Sequence, residues 1–295
     1  MHDWFSLEVA VVSQYVEISD LNLRLRNSLL HALPPRWAGW LRVWKMRRSL
    51  KTFHPRWVTH QYGENTFQVR IEDDLGQWWY DNDWQELPEI AFHAQRKLKP
   101  GATVFDFGAH QGIVAMMLAS KVKQEGLVLA VEANEHNARL ARLNAQTNVI
   151  PQLRVVEAAV ADKVGTILLN EGLNAQLDDG TAALGQTRVD CLTIDHLAEQ
   201  FGMPKVVFMD IEGAECLALQ GGRQVLASRA DFFVEVHVNF GLEKLGGSVE
   251  KILSFFPRDQ FEVFVRRESE REFRTIDKDP IFKDRFFLIA VERDQ

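Results

Sequence analysis

Short apolar runs recur along the chain, each bounded by turn residues and separated by stretches of helical spacing. Thr103–Phe107, Leu127–Glu132, Leu153–Glu157, Val206–Asp210 and Phe232–Val238 read as strands buried on both faces. Between them, Ile113–Ser120, Asn137–Asn144 and the stretch from Leu217 through Leu226 repeat apolar residues at helical intervals. Strand alternating with helix predicts a doubly wound, mostly parallel α/β sheet. Ser248–Phe256 reads as a helix stopped by Pro257. Phe261–Val265 and Arg285–Val291 are near enough in sequence to pair as an antiparallel edge. Gly165–Leu169 and Thr187–Thr193 are strand-like and flank a polar loop at residues 170–186. A loop of that length is often functional, so a lid or acceptor flap competes there with a plain hairpin tip.

Ahead of the first buried strand the pattern differs. Leu7–Leu30 has mixed spacing compatible with one or two helices, and Pro34-Pro35 breaks the chain. From His31 to His60 there are seven Lys or Arg and no acid, interleaved with Trp37, Trp40, Trp44 and Trp57. Such a basic, tryptophan-bearing helix suits a membrane surface, and equally suits packing its tryptophans onto the main domain. Thr66–Ile71 alternates as a strand, Glu72–Gly76 reads as a turn, and Glu86–Leu98 as a helix covering the cofactor side of the sheet. The expected division is an N-terminal helical, basic extension at residues 1–60 and a main domain at residues 61–295.

Composition narrows the class. The chain has 295 residues, 46% hydrophobic and 25% charged, which is ordinary globular usage. A net charge of −7 argues against a nucleic-acid platform. Cys191 and Cys216 have no paired spacing, so neither a disulfide framework nor a cysteine zinc site is expected. With no signal-peptide pattern and no apolar run long enough to span a bilayer, a cytoplasmic location is expected, with membrane contact through residues 31–60 left open.

The chemistry concentrates at Asp106-Phe107-Gly108-Ala109-His110-Gln111-Gly112, the turn between the first buried strand and its helix. A dinucleotide site wants G-x-G-x-x-G, and one glycine is missing here. Asp106 at the strand tip would repel a pyrophosphate but suits a cationic ligand. S-adenosylmethionine carries an ammonium, a carboxylate and a sulfonium and no phosphate, so the pattern favours it over a nicotinamide cofactor. Glu132, ending the second strand about 20 residues on, is placed to hold the ribose hydroxyls. Ala158 follows the third strand, beside the expected adenine. Asp106, Gly108, Ala109, His110, Gly112, Glu132, Ala158 and Asp210 are the candidate cofactor residues.

In their order, Gly108-Ala109-His110-Gln111-Gly112, Val189-Asp190-Cys191-Leu192-Thr193-Ile194-Asp195, Met209-Asp210-Ile211-Glu212-Gly213-Ala214-Glu215 and Glu235-Val236-His237 resemble FkbM-type S-adenosylmethionine-dependent methyltransferases. The resemblance covers about residues 86–240 and implies a class I methyltransferase (Rossmann-like) fold. Its sheet would be seven-stranded and mostly parallel with an antiparallel last strand. It also implies O-methylation of a hydroxyl on a natural product or sugar, hence a small-molecule or saccharide acceptor and no nucleic-acid partner. The chain departs from the family at His110, where Asn is frequent, and at Met209, where Lys is frequent.

An acceptor hydroxyl needs help losing its proton, and Asp210, Glu212 and His237 are the candidate catalytic residues. His237 has the ordinary pKa nearest neutrality. Competing roles are contact with the methionyl group for Asp210, a helix cap for Glu212, and satisfied burial for Glu235 or His237. Asp210, Glu212 and Glu235 could also offer oxygens to magnesium, but closely spaced acids are common without metal, and no metal is expected. A non-catalytic module docking through its basic N-terminus is the third class of reading.

Overall fold

The structure is a computed structural model that describes residues 43, 44, 47–170, 172, 176, 177, 186–276 and 282–293. The expected helices within Leu7–Leu30 and the stripe residues Trp37 and Trp40 lie outside the described residues.

The chain enters as a hairpin, β1 (Arg56–Tyr62) and β2 (Asn65–Ile71), paired antiparallel from Arg56↔Ile71 to Tyr62↔Asn65. The expected division between residues 60 and 61 therefore cuts a strand, and the hairpin starts at Arg56. Next comes α1 (Asp74–Tyr80), where the sequence suggested only a turn. Asp73 converts the turn into a helix: its carboxylate accepts the Gly76 N–H at 2.6 Å and caps the first turn. The following helix, α2 (Pro88–Ala94), is shorter than the expected Glu86–Leu98. After it the chain tightens, the Leu98 N–H reaching back to the His93 carbonyl at 3.0 Å.

Five parallel strands form the centre: β3 (Thr103–Phe107), β4 (Leu127–Glu132), β5 (Leu153–Glu157), and, after the small strands below, β10 (Val206–Met209) and β11 (Asp231–Val236). The helices between them are α3 (Ile113–Val122), α4 (Glu135–Thr147), α5 (Ile194–Phe201), α6 (Glu215–Gln220) and α7 (Arg223–Ala227), followed by α8 (Val249–Ser254). The small strands are β6 (Ala159–Val160), β7 (Gly165–Asn170), β8 (Gln176–Leu177) and β9 (Gln186–Leu192). They make a separate four-stranded sheet in the order β6-β9-β7-β8. Thus the expected loop at 170–186 contributes a short strand at its described part. The chain closes with β12 (Phe261–Arg267), β13 (Arg274–Thr275) and β14 (Phe286–Glu292).

The main sheet has the order β13-β12-β14-β11-β10-β3-β4-β5. The seven long strands are those expected, and the last is antiparallel to both neighbours. β12 and β14 do pair, but β14 lies inside the sheet between β11 and β12, and the two-residue β13 adds an outer edge. Order reverses between β3 and β10, the place where such sheets hold ligands. Alternation along the strands builds two cores. Phe105, Phe107, Val207 and Phe232 face α5 to α8, while Val104, Phe208 and Phe233 face α2, α3 and the hairpin. Each fully buried phenylalanine stabilises the fold by roughly 1.5–3 kcal/mol relative to exposure.

The hairpin is bound to the sheet by side-chain amides. Asn148 of the turn after α4 accepts the Gln68 N–H at 2.9 Å and donates to the Gln68 carbonyl at 2.8 Å. Asn144, fully buried, accepts the Arg70 N–H at 2.8 Å and donates to the Gln111 carbonyl at 2.9 Å. Of the tryptophans interleaved with basic residues, Trp44 and Trp57 are described and exposed, Trp57 on β1, with Arg48 and Arg70 over their rings. No helix among the described residues is long and apolar enough to cross a membrane.

Candidate functional site

At the switch between β3 and β10 lies a cleft with about 640 Å³ of empty space, part of it open to solvent. The glycine turn forms its floor. Gly108 has φ +81, and a Cβ there would meet the Asp210 carbonyl oxygen at 1.7 Å, so only glycine lets the two loops touch. The Asp210 N–H donates to the Phe107 carbonyl at 2.9 Å, fixing the same contact from the other side. Gly112 has φ +85 and abuts Ala141 of α4. Its glycine serves the turn and helix packing rather than a ligand.

Of the candidate residues, Gly108, His110, Glu132, Ala158, Asp210 and Glu212 line the cleft. Asp106, Ala109 and Gly112 do not. Asp106 alternates with Phe105 and Phe107 and so points to the Val104 face, behind the turn, where it is buried. α2 contributes nothing to the lining either, contrary to the expectation that it would cover the cofactor. That cover comes from Trp79 and from Leu169 and Leu177 of the small sheet. Trp79 packs on His110 with ring centres 4.9 Å apart, and the neighbouring Tyr80 hydroxyl meets His110 Nδ1 at 2.8 Å.

Glu132 faces the cleft with each oxygen held by backbone: Oε2 accepts the His110 N–H at 2.7 Å and Oε1 the Asn134 N–H at 2.8 Å. Burial raises its pKa to about 7, against the pull of these N–H groups. Burial, then the Glu132 charge, raises Asp106 to about 7 as well. Both acids bind protons more tightly folded than unfolded. They therefore take stability from the ligand-free fold as pH climbs from about 4 toward 7. A nearby cation would reverse that. Asp106 Oδ2 makes no hydrogen bond among the described residues.

The other end of the cleft holds the D-x-E-G-x-E block. Asp210 follows β10, and Glu212 takes a left-handed φ of +53 that turns it toward Asp210. Gly213 can adopt φ +104, and a Cβ there would strike the Gly241 backbone at 2.6 Å. Glu215 opens α6, fully buried, and its Oε1 accepts the Gly213 N–H at 2.8 Å and meets His237 Nδ1 at 2.8 Å. His237 follows β11, and its Nε2 faces Asp210 Oδ1 at 3.5 Å, Glu212 Oε2 at 3.6 Å and Glu235 Oε1 at 3.7 Å. Arg285 Nη1 holds Glu235 at 2.8 Å.

This weighs against His237 as the general base among the three candidates. Burial pushes its pKa down, but Glu215, Asp210 and Glu212 outweigh that and raise it to about 9. The ring lies behind Asp210 and Glu212 and does not line the cleft. Asp210 is raised above the ordinary carboxylate range, by partial removal from water and by the charge of Glu235, with His237 pulling the other way. Sequence reasoning gave no role to Glu215, Trp79 or Tyr80. An acid opening the apolar run Cys216-Leu217-Ala218-Leu219 was the available signal for an inward Glu215.

A glycine turn after the first sheet strand, an acid ending the second and this strand order define a class I, Rossmann-like methyltransferase. The chain belongs to the Methyltransferase FkbM domain family, which it matches over residues 106–263. Among solved structures it is similar to an FkbM methyltransferase from Methylobacillus flagellatus KT, with 17% identity and a TM-score of 0.42, covering 64% of this chain and 43% of that one. It is also similar to an S-adenosylmethionine-dependent O-methyltransferase from Thermotoga maritima, with 13% identity and a TM-score of 0.41, covering 81% and 78%. A fibrillarin from Aeropyrum pernix with S-adenosyl-L-methionine bound matches with 11% identity and a TM-score of 0.39, over 70% of this chain and 69% of that one. No curated protein matches the sequence significantly.

Proposed function

We propose that this enzyme transfers a methyl group from S-adenosylmethionine to a hydroxyl of a saccharide or related small molecule. The observation that carries the reading is the charge of the cleft: Glu132, Asp210 and Glu212 line it, and among the described residues no Lys or Arg does. That environment favours a sulfonium and an ammonium and opposes a pyrophosphate, which argues against a nicotinamide cofactor. The residues present fit the group. Gly108 allows close approach, Glu132 offers a carboxylate to a ribose diol, and Ala158, Val160, Leu169 and Leu177 form an apolar slot for a flat ring.

When bound, S-adenosylmethionine would supply a methyl group for in-line attack by an acceptor oxygen, its sulfur leaving as the neutral thioether. The chain's part is positioning, worth on the order of 7–11 kcal/mol where reacting atoms are held at near-attack distance. Asp210 and Glu212 are the acceptors facing the open end, suited to bind hydroxyl donors and to take the proton that leaves the attacking oxygen. His237 positions them from behind.

Calorimetry of the full chain with S-adenosylmethionine is expected to show saturable binding, with affinity rising about tenfold from pH 6 to pH 8 as a group of pKa about 7 ionises. Glu132→Gln should bind more weakly and flatten that dependence. Wild-type affinity that ignores pH would remove Glu132 from the cofactor site, and absence of binding would end the reading. Incubation with S-adenosylmethionine and polyhydroxylated acceptors should then yield products heavier by one methylene unit.

A further inference from the structure

We propose that Asp210, Glu212 and His237 form a binding site for one divalent transition-metal ion at the acceptor end of the cleft, with Glu215 as the positioning residue for the imidazole. Two acids at a cleft mouth do not by themselves make a metal site. The deciding group is His237, which is 1% exposed, and whose Nε2 makes no hydrogen bond among the described residues. That nitrogen is aimed at Asp210 Oδ1, 3.5 Å away, and Glu212 Oε2, 3.6 Å away. The three ligand atoms lie within 4.8 Å of one another. Ligands each about 2.1 Å from a shared ion sit roughly 3.0–3.5 Å apart, so the two imidazole–carboxylate gaps lie at the upper edge of that range. Asp210 is 48% exposed in its side chain.

The supporting shell has the form that metal-bound histidines use. Glu215 Oε1 takes the Nδ1–H, which leaves Nε2 as the ligating nitrogen, and the same oxygen holds the Gly213 N–H beside Glu212. Glu235, which the sequence suggested as an oxygen ligand, is instead paired with Arg285 at 2.8 Å. Asp210, Glu212, Glu215 and Glu235 thus crowd one region in which Arg285 is a paired cation, and a dication offsets the excess negative charge. One imidazole with two carboxylates suits Mn²⁺, Fe²⁺, Co²⁺ or Zn²⁺ better than Mg²⁺, which prefers oxygen alone. Three protein ligands leave coordination positions open toward the cleft. An ion there would hold the acceptor oxygen and ease loss of its proton, each carboxylate keeping a second oxygen to receive it. That role rests on the methyl-transfer reading; the metal site itself does not.

The test is titration of the chelator-treated full chain with MnCl₂, followed by calorimetry and by loss of the free-ion electron paramagnetic resonance signal. One Mn²⁺ should bind per chain, Zn²⁺ should compete, and Mg²⁺ should bind far more weakly. H237Q and D210N should each abolish saturable binding, and either variant suffices if the other melts abnormally. E215Q keeps an acceptor but loses the charge, and should bind Mn²⁺ about 10–100-fold more weakly while S-adenosylhomocysteine binding persists. The proposal is overturned by absence of saturable Mn²⁺ binding, by binding that H237Q and D210N leave intact, or by Mg²⁺ binding as tightly as Mn²⁺. In the first case Nε2 carries a proton in place of a metal. S-adenosylhomocysteine binding, measured without metal in the same preparation, reports separately on the cofactor cleft.

Discussion

Gly108→Ala is expected to eliminate cofactor binding, and Gly101→Ala to leave it untouched. Both glycines have similar left-handed backbone, with φ +81 and φ +82. Alanine therefore carries a comparable conformational penalty at each, on the order of 1 kcal/mol. Their surroundings differ. A Cβ at Gly101 meets nothing within 4 Å, whereas at Gly108 it lies 1.7 Å from the Asp210 carbonyl oxygen and 2.8 Å from its carbon. Those atoms belong to backbone, so no side chain can swing away. Relief requires pulling the glycine turn off the end of β10, which breaks the cleft at both ends together. Calorimetry with S-adenosylhomocysteine, run beside circular dichroism to confirm folding, measures the contrast. Wild-type affinity in Gly108→Ala would show that the two loops do not need to touch.

The second large effect concerns stability and lies at the opposite end of the sheet. Asp231, the first residue of β11, is fully buried. Lys97 Nζ lies 3.1 Å from its Oδ1, and Arg96 Nε 3.3 Å and His93 Nδ1 3.7 Å from its Oδ2. Burial alone would raise its pKa, but the neighbouring His93 imidazole and Lys97 ammonium prevail and lower it. A lowered carboxylate gives stability that is present above the unfolded value, about 3.9, and lost as pH falls through the folded value. Asp231→Ala leaves His93, Arg96 and Lys97 facing an emptied pocket. The expected cost is about 3–5 kcal/mol, or a melting temperature lower by on the order of 10 °C at pH 7. The loss should shrink as pH falls below about 4, where the unfolded carboxyl takes up a proton that the folded one still resists. Thermal denaturation across pH checks this, and an equal deficit at pH 3 and pH 7 would contradict it.

Much of this architecture was readable because doubly wound sheets write themselves as apolar runs. Thr103–Phe107, Val206–Met209 and Asp231–Val236 have no polar face to hide, so their identity as strands followed directly to within two residues. Glu132 and Asp210 were legible for the same reason, as charges at the ends of such runs. What stayed hidden depended on direction and on distance in sequence. Asp106 sits one residue from the strand end, and the alternation of β3 turns it away from the cleft that its spacing seemed to promise. His237 resembled a base until the fold brought Glu215, 22 residues earlier, to its Nδ1. Helix α1 depended on whether Asp73 bonded the Gly76 N–H, a local choice that Glu72-Asp73-Asp74 left undecided.

The double duty of Asn144 reaches beyond the hairpin. One amide group spans from the Arg70 backbone to the Gln111 carbonyl, so a segment preceding the matched family residues is wired into the cofactor turn. Trp79, from the same preceding segment, walls the cleft. Transplanting residues 106–263 onto another scaffold would carry across every acid yet deliver a pocket with a slack floor and one side missing.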